Sequence, residues 1–156
     1  MPRSARLLLV EPDIRLRSRL RGIAAPHALI DADAAAPAAR TRLLTGGYDW
    51  LVTNIRLEAY NGLHLAYLAN LTARPIRIVV YGDRADLPLA REAQTIGAFF
   101  EPRTCIADSL PSYLSTELPP SDRRAAYRPD RRTIFRGGRR SGDLPSWPAM
   151  PSMKMN

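Results

Sequence analysis

Up to residue 118, short apolar runs alternate with longer stretches whose apolar residues recur every three or four positions, and that alternation limits the fold more than any other feature. Residues 7–10 form the first run, ended by Glu11, Pro12 and Asp13; Ile14, Leu16, Leu20 and Ile23 then recur among Arg15, Arg17, Arg19 and Arg21. This is the pattern of strand, turn and helix. Asp13 is placed to cap the helix, because its carboxylate can accept from the free amides of the first turn, and Ala24, Ala25 and Pro26 close it. Residues 27–31 predict a second strand and residues 34–44 a second helix, which Gly46 and Gly47 stop by supplying positive φ angles. Residues 49–54, with Trp50, Leu51 and Val52, predict a third strand, and a polar loop through Glu58, Tyr60, Asn61 and Gly62 leads to a helix over 63–71. After Pro75 come Ile76, Ile78, Val79 and Val80, a mostly β-branched fourth strand, then Gly82 and Asp83 before a helix over 87–96. Residues 98–100 are a short fifth strand. A last helix over 106–118 carries Leu110, Leu114 and Leu118 at four-residue steps, with Pro111 in its early turns.

Such alternation calls for a parallel sheet with right-handed crossovers and helices on both faces, because a strand buried on both sides needs cover on both sides. The expected fold is α/β, a doubly wound five-stranded parallel sheet, in one domain over residues 1–118. In such sheets the working crevice lies outside the carboxyl ends of the strands, where strand order reverses. The residues that end the first, third and fourth strands are therefore the candidates for function.

From Pro119 the periodicity gives way to Pro, Arg, Asp, Ser and Gly, with Tyr127, Ile134, Phe135, Leu144 and Trp147 as sizeable anchors before a Met-rich end. A segment of this composition cannot bury enough surface to offset its ordering entropy, so residues 119–156 are expected to be a mostly disordered tail. The formal net charge of +8 resides mainly there: Lys154 and eight arginines stand against three aspartates, a net of +6 that leaves +2 for residues 1–118. Arg131, Arg132, Arg136, Arg139 and Arg140, around Gly137 and Gly138, could contact phosphates and stack on bases, or meet an acidic protein. They serve equally well as a solubilising extension.

Several classes of function are excluded. Cys105 is the only cysteine, so there is no intramolecular disulfide, Cys-x-x-Cys redox pair or cysteine metal cluster, and a reducing, cytoplasmic setting is expected. The run at 7–10 is too short for the apolar core of a signal peptide, and no segment nears the roughly 20 apolar residues of a membrane helix. No glycine-rich phosphate loop follows the first strand, where Glu11 and Asp13 would repel phosphate, which argues against a nucleotide or flavin enzyme. No periodic helices after Leu118 supply a helix-turn-helix reader.

Three segments in order carry a family resemblance: residues 7–10 into Glu11, Pro12 and Asp13; Asp49 to Asn54 with Asn61, Gly62 and Leu63 downstream; and Gly97 and Ala98 with Glu101 and Pro102. Over residues 5–116 the chain resembles the receiver domain of bacterial response regulators, which implies the flavodoxin-like version of the doubly wound fold and a place in two-component signal transduction and phosphorelay. In that family an aspartate ending the third strand attacks a phosphoryl group while carboxylates after the first strand hold a divalent metal. A threonine or serine ending the fourth strand and a lysine before a proline after the fifth bind the phosphoryl oxygens.

Carried onto this chain, the resemblance puts Glu11 and Asp13 on the acidic pair, separated by Pro12, and Asn54 on the phosphoacceptor position. The hydroxyl position falls on Val80, or on Tyr81 if the strand slips by one residue, and the lysine position falls on Glu101, with Arg103 near enough in sequence to enter the same space. A carboxamide is a poor nucleophile and lacks the charge that helps hold magnesium, and valine has no donor. With nucleophile, hydroxyl and cation altered together, the resemblance implies a pseudo-receiver with no catalytic residue, no enzymatic activity and no cofactor. Weak binding of a divalent cation such as Mg²⁺ at Glu11 and Asp13 stays open, although two carboxylates alone more often serve as loop and helix cap.

Other residues are less decisive. Glu101 near Glu11 and Asp13 would bring repulsion that Arg103 or Arg56 must relieve, so an internal salt bridge and a solvated Glu101 are both open. His27 and His64 have no nearby cysteine or second histidine and suit structural roles; Thr53, by strand alternation, points away from the crevice. The resemblance places a signalling partner on the face made by the fourth helix, fifth strand and fifth helix, with Tyr81, Arg84, Arg91, Arg103 and Tyr113 as candidate contacts. A homodimer is also open. The expected function is signalling by phosphorylation-independent protein binding; the alternative is a nucleic-acid-associated protein that uses its arginine-rich tail.

Overall fold

The apolar runs pair side by side in the computed structural model, which describes residues 4–83 and 87–116. Strands β1 (Ala5–Val10), β2 (Ala28–Asp33), β3 (Trp50–Asn54), β6 (Arg77–Gly82) and β7 (Phe99–Pro102) form one sheet in the order β2-β1-β3-β6-β7, with every pairing parallel. The chain winds outward from β1 to β2, then crosses to the other side, so the strand order reverses between β1 and β3. Helices α1 (Ile14–Ala24) and α5 (Ile106–Ser115) cover one face; α2 (Ala36–Thr45), α3 (Gly62–Leu71) and α4 (Leu87–Thr95) cover the other. This is a doubly wound arrangement, as the alternation demands, with the flavodoxin-like strand order that the resemblance implies.

Burial on both faces explains why the strands are apolar at successive positions. Leu8, Val10, Leu51, Ile78 and Val80 pack toward α2, α3 and α4, whereas Leu7, Leu9, Trp50, Val52, Val79 and Tyr81 pack toward α1 and α5. The two-residue period of the strand assigns each side chain its face. Asp13 caps α1 as its position suggested, accepting from the Arg15 and Leu16 amides at 2.9 and 3.4 Å.

Some local features differ from the sequence expectation. The polar loop after the third strand is a small antiparallel hairpin, β4 (Arg56–Leu57) with β5 (Tyr60–Asn61), because Leu57 is an apolar anchor buried in the core within that otherwise polar stretch. Glu58 makes the turn in the left-handed region at φ 55°. Gly47 has the expected positive φ of 62°, but Gly46 stays right-handed at φ −91° and donates its N–H to the Arg42 carbonyl, so a single left-handed glycine redirects the chain. Helix α5 stops at Ser115, with Thr116 extended, and does not run to residue 118. The expected tail, the boundary at 118, and the candidates Arg84, Arg131, Arg132, Arg136, Arg139 and Arg140 lie outside the described residues. Among the described residues no helix is long and apolar enough to cross a membrane.

Candidate functional site

Alternation also decides which side chains meet at the carboxyl edge of the sheet. Leu7 and Leu9 face α1 and α5, and Glu11, just past β1, continues on that side; Trp50, Val52 and Asn54 do the same on β3, as do Val79 and Tyr81 on β6. Register places Asn54 opposite Tyr81. Glu11, Asn54 and Tyr81 therefore converge where the strand order reverses.

At the centre is the Glu11 carboxylate, 1% exposed. Asn54 Nδ2 donates to its Oε2 at 3.0 Å and the Tyr81 hydroxyl to the same oxygen at 2.8 Å, while the Asp13 amide donates to Oε1 at 2.9 Å. An unpartnered carboxylate at such depth would be very costly, and these three donors make it tenable. The Asn54 amide is oriented from its other end, because Oδ1 accepts from the Arg56 backbone N–H at 2.9 Å. Burial, reinforced by the Glu11 charge, pushes the Tyr81 phenol far above its ordinary pKa, so it remains a donor throughout the pH range of a folded protein. Arg17 pins the loop from outside, donating to the Glu11 and Pro12 carbonyls at 2.6 and 3.2 Å.

An ion-paired layer covers this buried set. Arg103, just beyond β7, reaches Asp13 at 2.9 Å and Asp83 at 3.3 Å, joining the segments that follow β1 and β6. The Arg15 amide, then the Leu16 amide and Arg103, hold the Asp13 carboxyl below its usual pKa. A shallow depression of about 410 Å³ opens here, lined by Asp13, Arg15, Arg19, Asp83, Arg103 and Thr104 among others.

The structure brings together only part of the site expected from sequence. Val80 does not supply the fourth-strand position; its side chain points into the opposite core, and Tyr81 provides the hydroxyl. Glu101 is not in the crevice either. Strand alternation turns it toward α5 with Phe99, where its Oε1 accepts from the Tyr113 hydroxyl at 2.6 Å and Phe99 lies 5.3 Å from the Tyr113 ring. It forms no salt bridge with Arg103 or Arg56 in this arrangement, and Arg103 supplies the cation. One candidate for the partner face is corrected by the same geometry: Tyr81 is fully buried, whereas Arg103 is paired with Asp13 and Asp83 and keeps a third of its side chain exposed. Arg91 is exposed on α4, and Tyr113 is half-buried on α5. Thr53 is buried on the other side of β3 from Asn54, donating to the Asn54 carbonyl at 3.0 Å. Asp83 was not foreseen; the only available signal was an acidic residue just after the fourth strand.

These donors and acceptors do not suit a divalent cation. Both Glu11 oxygens face N–H or O–H donors, Asp13 Oδ1 caps α1, and Asp13 Oδ2 and Asp83 are taken by Arg103. Among the described residues no three His, Cys, Asp or Glu side chains converge as a metal site. Mg²⁺ needs oxygen ligands that are free to turn toward it.

No protein-family model matches the chain, and no curated protein matches it in sequence. Solved structures do match in fold. The signal receiver domain of a putative Luxo repressor protein from Vibrio parahaemolyticus superposes with a TM-score of 0.67 at 17% identity, covering 72% of this chain and 88% of that one. A response regulator protein from Burkholderia pseudomallei, determined with a phosphorylated aspartic acid, calcium ion and citrate, gives 0.63 at 19% identity over 72% and 67%. A response regulator receiver domain protein from Methanospirillum hungatei gives 0.61 at 14% identity over 72% and 94%. The described part of the chain thus has the receiver-domain fold.

Proposed function

We propose that this chain is a pseudo-receiver, a signalling module of the receiver fold that acts by binding partner proteins and performs no phosphotransfer. One observation carries this reading: at the third-strand position where response regulators hold the phosphoacceptor aspartate, Asn54 uses its Nδ2 to donate to buried Glu11 and its Oδ1 to accept from Arg56. A carboxamide cannot form the acyl phosphate. The neighbouring groups that would have to serve phosphate or metal are instead bonded to one another. With no covalent change to convert one state into another, output on this reading comes from surface recognition, in a cytoplasmic setting.

The partner surface of this reading comprises α4, β7 and α5, with Arg91, Phe99 and Tyr113 as its contacts; Phe99 is 40% exposed beside Tyr113. Tyr81, being buried, is left out of it, and Arg103 stays at its edge. The direct test is an amide NMR spectrum of the full chain with beryllium fluoride or acetyl phosphate plus magnesium. An unchanged spectrum is expected, and shifts centred on Asn54, Tyr81 and Arg103 would overturn the proposal. Partners captured from the native lysate in high salt should be lost with Arg91→Glu if this face binds them. A second reading rests on the net +6 of residues 119–156: association with nucleic acid through the tail, recognised by a steep loss of binding as salt rises.

A further inference from the structure

On the sheet face opposite the Glu11 set, a groove of about 520 Å³ opens between α2 and α3 beside the β4–β5 hairpin. Leu65 and Leu68 of α3 and Ala36 of α2 line it, and Leu44 and Tyr60 flank it with 55% and 54% of their surface exposed. Apolar side chains grouped around a concavity, and not scattered singly, are a feature of ligand grooves. The charge of the lining is one-sided: Arg40 supplies a cation, His64, Tyr60 and Asn61 can donate, the Thr41 and Thr45 hydroxyls donate to the Pro37 and Thr41 carbonyls, and among the described residues no Asp or Glu lines the groove. Among the described residues Arg40 and His64 have no ion pair.

We propose that this groove binds a small amphipathic anion, an acyl or aryl carboxylate. Its apolar body lies against Leu44, Tyr60, Leu65 and Leu68 and its carboxylate meets Arg40. The volume falls within the roughly 300–1,000 Å³ of ligand pockets, and the lining combines a mostly apolar wall with a few polar groups, as such pockets do. Charge selects the sign of the ligand: a carboxylate gains a charge-assisted bond to the guanidinium, whereas an alkylammonium finds no counter-charge in the lining. The groove also lies one hairpin away from the buried site. Tyr60 and Asn61 form β5, which pairs with Arg56 and Leu57 of β4, and the Arg56 N–H is bonded to Asn54 Oδ1.

The test is an amide NMR titration of the full chain with sodium octanoate, octan-1-ol and octylammonium, repeated on Arg40→Gln and on Thr41→Phe. Arg40 and Thr41 are exposed on α2, so neither variant should disturb the core. Octanoate is expected to give saturable shifts at Ala36, Arg40, Leu44, Tyr60 and His64 and to bind about tenfold more weakly to Arg40→Gln, the loss of one charge-assisted contact. Thr41→Phe, which fills the groove, should abolish the shifts. Equal binding of octanol or octylammonium, shifts scattered over the surface, or no effect of either variant would overturn the proposal. So would shifts of the same amides with protein concentration alone, which would make a second copy the occupant, or NOE contacts from the groove to residues 119–156, which would make it the tail.

Discussion

Replacing Asn54 with aspartate probes the buried hydrogen-bond set directly. Asn54 Nδ2 lies 3.0 Å from Glu11 Oε2, and the two residues are 6% and 1% exposed. Asn54→Asp removes a bond to a charged group, worth about 1.5–3 kcal/mol, and puts a second carboxylate against the first. At an effective dielectric of about 20, two unit charges 4 Å apart repel by about 4 kcal/mol. The pair relieves itself by taking up a proton, so one of its apparent pKa values rises well above the usual carboxylate range, at about 1.4 kcal/mol per unit. A deficit of about 3–4 kcal/mol at pH 7 is therefore expected. The sign of its pH dependence follows from linkage: the folded variant binds a proton that the unfolded chain has released, so lowering the pH toward 5 stabilises the variant relative to the native protein. There the protonated acid can donate to Glu11 as the amide did, and the deficit should shrink to about 1 kcal/mol. Urea unfolding followed by circular dichroism at pH 5, 6 and 7 measures it. Millimolar Mg²⁺ should raise the urea midpoint of the variant at pH 7 and leave that of the native protein unchanged. A deficit below 1 kcal/mol at pH 7, or one that does not vary with pH, would refute the placement of Asn54 against the buried Glu11 side chain.

Three further expectations follow from the same geometry. Tyr81→Phe deletes one of the two donors to Glu11 Oε2 while conserving the packed ring, and should cost about 1.5–3 kcal/mol in urea unfolding. Arg103→Gln breaks the ion pairs to Asp13 and Asp83 at a one-third-exposed side chain, so a loss of about 1 kcal/mol or less is expected, and most of it should vanish in 1 M NaCl. Asp13 has a depressed pKa, so its stabilising contribution is present above its unfolded value of 3.8 and is lost as the pH falls below it; Asp13→Asn should flatten this part of the acid limb in a pH series of thermal melts.

The order and number of the main elements were legible in the sequence because the two periodicities are local. Residues 7–10 are a short unbroken apolar run closed by Glu11, Pro12 and Asp13, of strand and not helix length, and Ile14 to Ile23 repeat at helical spacing, so each stretch declares itself from its neighbours. Strand burial on both sides then requires a parallel doubly wound sheet. The Asp13 cap and the Asn54 position at the end of β3 are local in the same sense. The hairpin at Arg56 to Asn61 was harder to see, since two-residue strands carry too little pattern and the burial of Leu57 depends on core residues distant in sequence.

What only tertiary structure decided was which side chains meet at the end of the sheet. Strand parity, fixed by register between strands far apart in the chain, sends Tyr81 to Glu11 and Val80 to the other core; a slip of one residue would exchange them. The same parity turns Glu101 toward Tyr113, so the cation at the crevice is Arg103, whose partners Asp13 and Asp83 lie ninety and twenty residues away. The sequence by itself determined the main elements and the carboxamide at position 54, because periodicity and side-chain chemistry belong to the residues themselves. The closed network around Glu11 was decided by the fold, because a hydrogen bond between positions 11 and 81 exists only once the strands between them are in register.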